Sequence, residues 1–477
     1  MSSRVFFSAA RRLPLGPREM LWLARHAPLW AVRRLREARL LRTLRHVWEN
    51  SPLQRRRWQD AGVALADLRS PDVLPHLPFT TGDDLVERPE EFFCAPPREL
   101  VHLFTSSGSL GRPKPTYLTA DDLDHHLCMV GAGLRTLPEP RRLLVMFRTR
   151  TAHWAAGQVP YCAARRAGLF ALLSGTEHAP SEQVELIRRH RITVLATSPT
   201  YLHRITLESP RDVRTLGVRC IMLATQPWSQ EFRRKMESAW GARLLDAYGA
   251  SEFAYAIASE CIRQSGLHVC DVDFWAEIVD PATGGPLADG REGEVVITTL
   301  SRLGMPLVRY RMRDLAHRIP RHGRCPCGAP FRKISRIRGR LDDMIILGVG
   351  TNVYPDAIDR AVLSVPGVTD YQLVIEKDSY KDVLNVTVEH EAPPGDLRDR
   401  IARALRAIPE LRDGLEHSLT VVLGRVDVAR PGSLAADRPK TRRILDRRPS
   451  AVRAAPTAAT SRRPEYTGSN NRKQPAE

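Results

Sequence analysis

The sequence predicts an α/β protein. A large N-terminal domain has mainly parallel sheets and a small antiparallel β subdomain, and a small α+β C-terminal domain follows. Three observations carry that prediction. Over residues 100–260, short apolar runs alternate with helical patterns, as in a parallel sheet with helices packed against it. Residues 267–320 change to strand-like segments punctuated by Gly, Pro and Asp, which suits antiparallel hairpins. Beyond residue 341 a separate pattern of strands and helices begins. With 477 residues, 43% of them hydrophobic, the chain can build more than one core.

The elements follow in order. Residues 18–60 place Leu and Trp at three- and four-residue spacings, which predicts amphipathic helices. In "SPDVLPHLPFTTGDDL" a loop gives way to a helix start, with Thr81 as N-cap of "GDDLVE". The runs at 141–147, 192–198 and 218–224 read as buried strands, and 181–190 and 229–240 as helices among them. In the last unit "NVYPDAIDRAVLSVPGV" reads as a loop and helix, "YQLVIEKDS" and "DVLNVTVEH" as strands, and "DLRDRIARALRAI" as a second helix. The predicted boundaries are 1–341 for the large domain, with 1–60 its helical, Arg-rich lead-in, and 342–446 for the small one. Residues 447–477 are a basic tail whose composition favours disorder.

The formal charge is +18, and residues 1–57 carry fourteen arginines, no lysine and three glutamates. Such a surface can attract nucleic acid, anionic lipid or polyphosphate, but solvated amphipathic helices explain it more simply. No zinc-finger, RNP-like or heptad pattern accompanies the charge, so no specific nucleic-acid partner is predicted. No apolar run reaches the roughly 18–20 residues that a bilayer crossing needs. The N-terminus lacks a secretory pattern, and the eight scattered cysteines argue against a disulfide framework. A soluble, cytoplasmic protein is expected.

Four stretches carry chemistry. "TSSGSLGRPKP" (105–115) combines hydroxyls, two glycines and Lys114, which suits phosphate binding but departs from the P-loop pattern; read alone, it is better taken as a linker or turn. "DAYGASEF" (246–253) sets Tyr248, able to stack on a purine, close to Glu252, able to hold a metal ion. "PLVRYRMRDLAHR" (306–318) presents Asp314, either as a ribose ligand or as an ion-pair partner of Arg311 or Arg313. "RIRGRLDDMIILGVGTNVYPDAID" (336–359) joins a basic turn, two aspartates and a glycine loop.

Together, in this order and spacing, these stretches resemble the motifs of the adenylate-forming superfamily, and more closely the phenylacetate–coenzyme A ligase family. "SSGSLGRPK" resembles its phosphate loop, "YGASE" its aromatic-Gly-x-Ser-Glu motif and "GRLDDMIILGVGTNVYP" its hinge. "RPGSLAADRPKTRRILDRR" (430–448) resembles its C-terminal lysine segment. The resemblance spans residues 30–448. It implies an ATP-dependent ligase that activates a carboxylic acid, aromatic or aryl-acyl, as the acyl-adenylate and passes it to coenzyme A. An amine or a free-standing carrier protein is the alternative acceptor; a non-catalytic nucleotide-binding scaffold is the rival of another class. A homodimer is left open.

The resemblance also implies site residues. Ser106, Ser107, Gly108, Ser109, Gly111 and Lys114 would meet the β- and γ-phosphates. Tyr248, Gly249 and Ser251 would line the nucleotide site, with Glu252 on Mg²⁺. Asp314 would bind the ribose hydroxyls with Arg340 beside it; Asp342 would be the hinge of a mobile small domain, and Lys440 the catalytic lysine. Leu110 replaces a usual threonine, Pro439 a usual glycine, and "LATQPWSQ" (223–230) a Gly-Gly-Glu-Pro segment, which predicts a reshaped acyl pocket. Separately, Cys261, His268, Cys325 and Cys327 can complete a structural Zn²⁺ site, with Cys270 as a substitute ligand.

Overall fold

The computed structural model describes residues 17–106, 113–147, 155–209, 211–226, 228–321, 323–341, 345–347, 351–379, 381–416, 421–434 and 443–448. Ser107, Gly108, Ser109, Leu110, Gly111, Asp342, Pro439 and Lys440 lie outside the described residues.

Helices Pro17–His26, Leu29–Asn50 and Pro52–Asp60 open the fold, where the Leu and Trp spacing placed them. Thr81 caps helix Gly82–Glu87 in a reciprocal capping box with Asp84. The lead-in is not simply a solvated basic face. Arg39 is buried against Asp273 at 2.9 Å, and Arg36 lies 3.6 Å from Asp271 and packs over Trp275. These arginines bind the first long helix to the body of the large unit.

Next come β1 (Leu100–Thr105) and β2 (Pro115–Thr119), an antiparallel hairpin in register from Thr105 opposite Pro115. β3 (Arg142–Met146), β4 (Phe170–Ser174), β5 (Val194–Thr197), β6 (Cys220–Leu223) and β7 (Arg243–Tyr248) are parallel, in the order β4-β3-β5-β6-β7. Helices Pro180–Arg189, Pro199–Glu208 and Gln230–Trp240 pack between them, the last two capped by Ser198 and Ser229. All four residues of β5 are buried, as expected for a strand covered on both faces.

β8 (Ala258–Glu260) and β9 (Leu267–Val269) extend this sheet with antiparallel pairing. β10 (Phe274–Val279), β11 (Glu292–Thr299) and β12 (Tyr310–His317) form the core of the antiparallel sheet predicted over 267–320. β13 (Lys333–Ile334) pairs with β9 and completes the eight-stranded sheet; β14 (Gly339–Arg340) pairs with β12.

The remaining residues have a core of their own, drawn entirely from Ile345 onward. β15 (Ile345–Leu347) and β16 (Thr351–Val353) pair with each other, and β17 (Val368–Asp378), β18 (Lys381–His390), β19 (Val421–Ala429) and β20 (Ile444–Asp446) form a four-stranded sheet ordered β19-β18-β17-β20. Arg448, assigned by composition to the basic tail, is buried and pairs with Asp382 at 2.8 Å. The ordered unit therefore runs past residue 446. Lys235 of the large unit donates to the Val368 carbonyl at 2.9 Å, a direct link between the two bodies.

Candidate active site

The β1–β2 hairpin holds the two ends of the loop around Lys114. Ser106 N–H donates to the Lys114 carbonyl at 3.1 Å, and Lys114 N–H donates to the Ser106 hydroxyl at 3.0 Å. Pro115, the first residue of β2, sits opposite Thr105 and fixes the backbone just after the lysine. Lys114 Nζ then reaches Glu252 Oε1 at 2.6 Å.

Tyr248 ends β7, at the carboxyl end of the parallel strands, where open α/β sheets bind ligands. The chain then turns sharply at Gly249. A Cβ there would lie 1.6 Å from the Tyr255 carbonyl oxygen, so this close approach admits only glycine. Ser251, Glu252 and Phe253 form one 3₁₀ turn, with Glu252 4% exposed. Its Oε1 accepts from both Lys114 and the Tyr310 hydroxyl, the latter at 2.8 Å. Burial would raise the Glu252 carboxyl, but the Lys114 ammonium beside it overcomes that and holds it below the usual carboxylate range. Glu252 is thus a buried, ionised carboxylate, the donor type that Mg²⁺ takes, and a carboxylate has a second oxygen to offer it.

β12 joins this cluster to the next. The strand is irregular here: its register with β11 shifts between Arg311 and Leu315, and Arg313 at φ 62 marks the bulge just before Asp314. The Tyr248 hydroxyl donates to Asp314 Oδ2 at 2.8 Å. Arg340, opposite Asp314 in the β12–β14 pair, forms an ion pair with Oδ1 at 3.2 Å, although its geometry falls short of a hydrogen bond. Arg311 is engaged elsewhere, donating through Nε to Glu294 at 2.9 Å. The ion pair that Asp314 makes here is with Arg340, on the neighbouring strand.

Lys114, Tyr248, Glu252, Asp314 and Arg340 are thus brought together along one strip, with Ser106 and Gly249 shaping its loops. Tyr310 belongs to the strip, and no role was expected of it from sequence; its place four residues before Asp314 in "RYRMRDL" was the available signal. In the divergent segment 223–230, Thr225 adopts φ 76, a left-handed conformation that β-branched residues rarely take. Gln226 accepts a hydrogen bond from the Thr200 hydroxyl at 2.7 Å.

A second cluster stands apart. The ligand atoms of Cys261, His268, Cys325 and Cys327 all lie within 4.8 Å of one another. Cys261 and Cys325 sulfurs are 3.9 Å apart, and Cys327 Sγ is 3.5 Å from His268 Nε2. A zinc tetrahedron with Zn–S near 2.3 Å has edges of roughly 3.8 Å, so these donors fit that ion. His268 Nδ1 faces the Phe331 carbonyl at 3.4 Å. Cys270 is not a substitute ligand: its thiol donates to Asp273 at 3.3 Å, and burial raises it well above the ordinary thiol range.

Known proteins give the site its context. The family model for AMP-binding enzymes matches residues 37–301, more than half of the chain. The chain belongs to the AMP-binding enzyme family. The model of the AMP-binding enzyme C-terminal domain matches residues 350–448 of this family member as well. Phenylacetate–coenzyme A ligase of Pseudomonas putida is 33% identical over 370 residues, covering 76% of this chain and 82% of the relative. The Aromatoleum evansii protein of the same name is 30% identical over 432 residues, covering 88% and 95%. Among solved structures, 2-hydroxyisobutyryl-CoA ligase in its postadenylation state superposes on this AMP-binding enzyme with a TM-score of 0.77. That match covers 91% and 92% of the two chains at 21% identity and speaks to the fold.

Proposed function

We propose that this AMP-binding enzyme is an AMP-forming acid–thiol ligase that joins a carboxylic acid, aromatic or aryl-acyl, to coenzyme A. The carrying observation is the strip itself. Lys114, Glu252 and Tyr310 gather charge and hydrogen-bonding groups at one end, and Tyr248, Asp314 and Arg340 gather at the other. A nucleoside triphosphate presents those needs in that order, with phosphates at one end and a ribose diol at the other. The two phenylacetate–coenzyme A ligases support the aryl acid and the thiol acceptor.

A carboxylate is a poor electrophile, and its negative charge repels nucleophiles. Its oxygen instead attacks the α-phosphorus of ATP, forming the acyl–phosphate bond as the bond to pyrophosphate breaks. The thiol of coenzyme A then attacks the acyl carbon, and AMP leaves with the bonding pair. Lys114 would offset charge on the departing phosphates, and Asp314, aligned by Tyr248, would hold the ribose hydroxyls. Glu252 would hold Mg²⁺, which supplies electrostatic stabilisation to the phosphates. Lys440 would offset charge where the carboxylate meets the α-phosphate, and the loop residues Ser106, Ser107, Gly108, Ser109 and Gly111 would cradle the β- and γ-phosphates. The unit from residue 342 onward would turn about Asp342 between the two half-reactions. Cys261, His268, Cys325 and Cys327 would hold a structural Zn²⁺; four protein ligands leave no open position for catalysis.

The test is product analysis by mass spectrometry with a panel of aryl and aliphatic acids, ATP and Mg²⁺. Thioester with coenzyme A and an aryl acid is expected. Amide formation with added amines, and none with coenzyme A, would overturn the acceptor assignment.

A further inference from the structure

Arg302 lies beyond β11, outside the strip that faces the nucleotide, and is 7% exposed. Its Nη1 donates to the main-chain carbonyl of Glu252 at 2.6 Å, and its guanidinium lies 5.9 Å from the centre of the Phe253 ring. Burying a guanidinium is costly without compensation, and Arg302 makes no ion pair among the described residues. Burial accordingly pulls it down to about 10 despite the Asp122 and Glu252 charges nearby. A group held at such cost calls for a reason.

The surroundings fix Arg302 in place. Asp122 accepts from Leu303 N–H at 2.7 Å and Gly304 N–H at 2.9 Å, which clamps the residues directly after it. Beside it is a cavity of about 20 Å³ lined by Asp122, His125, His126, Thr299, Ser301 and Arg302. That volume holds roughly one water molecule. Among the described residues His126 Nε2, on a side chain buried in this wall, has no hydrogen-bond partner. Leu118, Ala254 and Phe274 complete the wall, so the cavity is part polar and part apolar, with room for about one water beside the guanidinium.

What Arg302 grips is a short turn closed by its own main-chain bonds, Ala254 N–H to the Ser251 carbonyl and Tyr255 N–H to the Ala250 carbonyl, that leads into two residues in unfavourable backbone conformations. Ser251–Phe253 is a single 3₁₀ turn, followed by Ala254 at φ 60 and Tyr255 at φ 128. Non-glycine residues in that region cost of order 1–3 kcal/mol each, so the surroundings must impose the conformation. A charged donor on the Glu252 carbonyl is a strong restraint of the required kind.

We propose that Arg302 is a positioning residue for Glu252: by holding its carbonyl it sets the carboxylate for the divalent cation of the ATP complex. This rests on the reading that Glu252 meets that cation. The clamp would act on metal affinity while leaving metal-free nucleotide binding alone.

The test measures Mn²⁺ binding by electron paramagnetic resonance in the presence of a non-hydrolysable ATP analogue, and analogue binding in EDTA by calorimetry. R302M should weaken Mn²⁺ about tenfold and leave EDTA binding within about twofold, while R302Q, which keeps a donor, should retain most of the affinity. Equal losses in both measurements, or no loss in folded R302M, would overturn the proposal. If R302M does not fold, a tenfold Mn²⁺ loss in folded R302Q would overturn it as well. Unchanged Mn²⁺ affinity in E252Q would instead remove the reading on which the proposal rests.

Discussion

Lys114 and Glu252, 138 residues apart in sequence, meet at 2.6 Å, and the Tyr310 hydroxyl joins the same carboxylate oxygen at 2.8 Å. The residue leading into β2 and the acidic turn after β7 are therefore one electrostatic unit. Lys114 is partly open, with its side chain 27% exposed, while Glu252 is 5% exposed. A phosphate group can thus approach the lysine, while the carboxylate stays fixed behind it.

Removing the lysine should expose the opposing effects on Glu252. With Lys114 present the carboxyl is held low against burial; in K114M burial prevails and the group rises. The carboxylate form, and the stability it brings, is normally present above the usual carboxylate range and lost as pH falls through the lowered folded value. In K114M the sign reverses: with the folded value raised above the unfolded one, the group contributes stability at low pH, and that contribution is lost as pH rises through the folded value. Pyrophosphate exchange should fall about 10²–10³-fold, with its acid limb shifted upward. An unmoved acid limb would contradict this.

Tyr310→Phe keeps the ring that meets Phe253 edge-on at 5.6 Å and removes only the hydroxyl. A hydrogen bond to a charged group contributes about 1.5–3 kcal/mol to stability, so the melting temperature should fall measurably, and adenylation should slow as Glu252 loses one of its two partners. Wild-type exchange rates in Y310F would remove Tyr310 from the site.

Asp314 is expected to read both ribose hydroxyls, held in place by Tyr248 and Arg340. Replacing it with alanine should raise the KM for ATP strongly and flatten the preference for ATP over 2′-deoxy-ATP. Retained discrimination in D314A would place ribose recognition elsewhere.

Gly249→Ala drives a Cβ to within 1.6 Å of the Tyr255 carbonyl oxygen. Backbone must move, and overpacking of this kind costs about 1–3 kcal/mol or more. Urea denaturation should show that loss together with weaker nucleotide binding; a variant as stable as wild type would contradict the packing described.

For the second cluster, metal analysis should find one zinc per chain, lost in C325S and C327S. Arg324, next to Cys325, donates to the carbonyls of Arg25 and His26 at 3.2 and 3.3 Å. Chelation should therefore speed hydrogen exchange in helix Pro17–His26. Metal-free protein with unchanged exchange would end the zinc assignment.

Local patterns were legible in the sequence, and long-range partners were not. Leu and Trp spacing marked the early helices, and Thr81 marked a cap because its chemistry acts three residues away. The runs at 141–147, 192–198 and 218–224 showed as strands because parallel strands are apolar on both faces. β1 and β2 were harder to see, since "LVHLFT" has exposed Val101 and Leu103, and only its pairing with β2 makes it a frame for the loop. Arg39 looked like part of a solvated face because its partner Asp273 is 234 residues away. Cys270 has the chemistry of a zinc ligand, but the fold turns its thiol to Asp273. The roles of Lys114, Glu252, Asp314 and Arg340 were suggested by motif resemblance, and the geometry adds the contacts that join them.

The most direct test of the central claim is acid-dependent exchange of labelled pyrophosphate into ATP, without coenzyme A, in wild type, K440A and E252Q. Exchange should require an aryl acid and Mg²⁺ and fall by at least about 10²-fold in both variants. Failure of every acid tested to support exchange, or exchange that persists at the wild-type rate in K440A and E252Q, would contradict it.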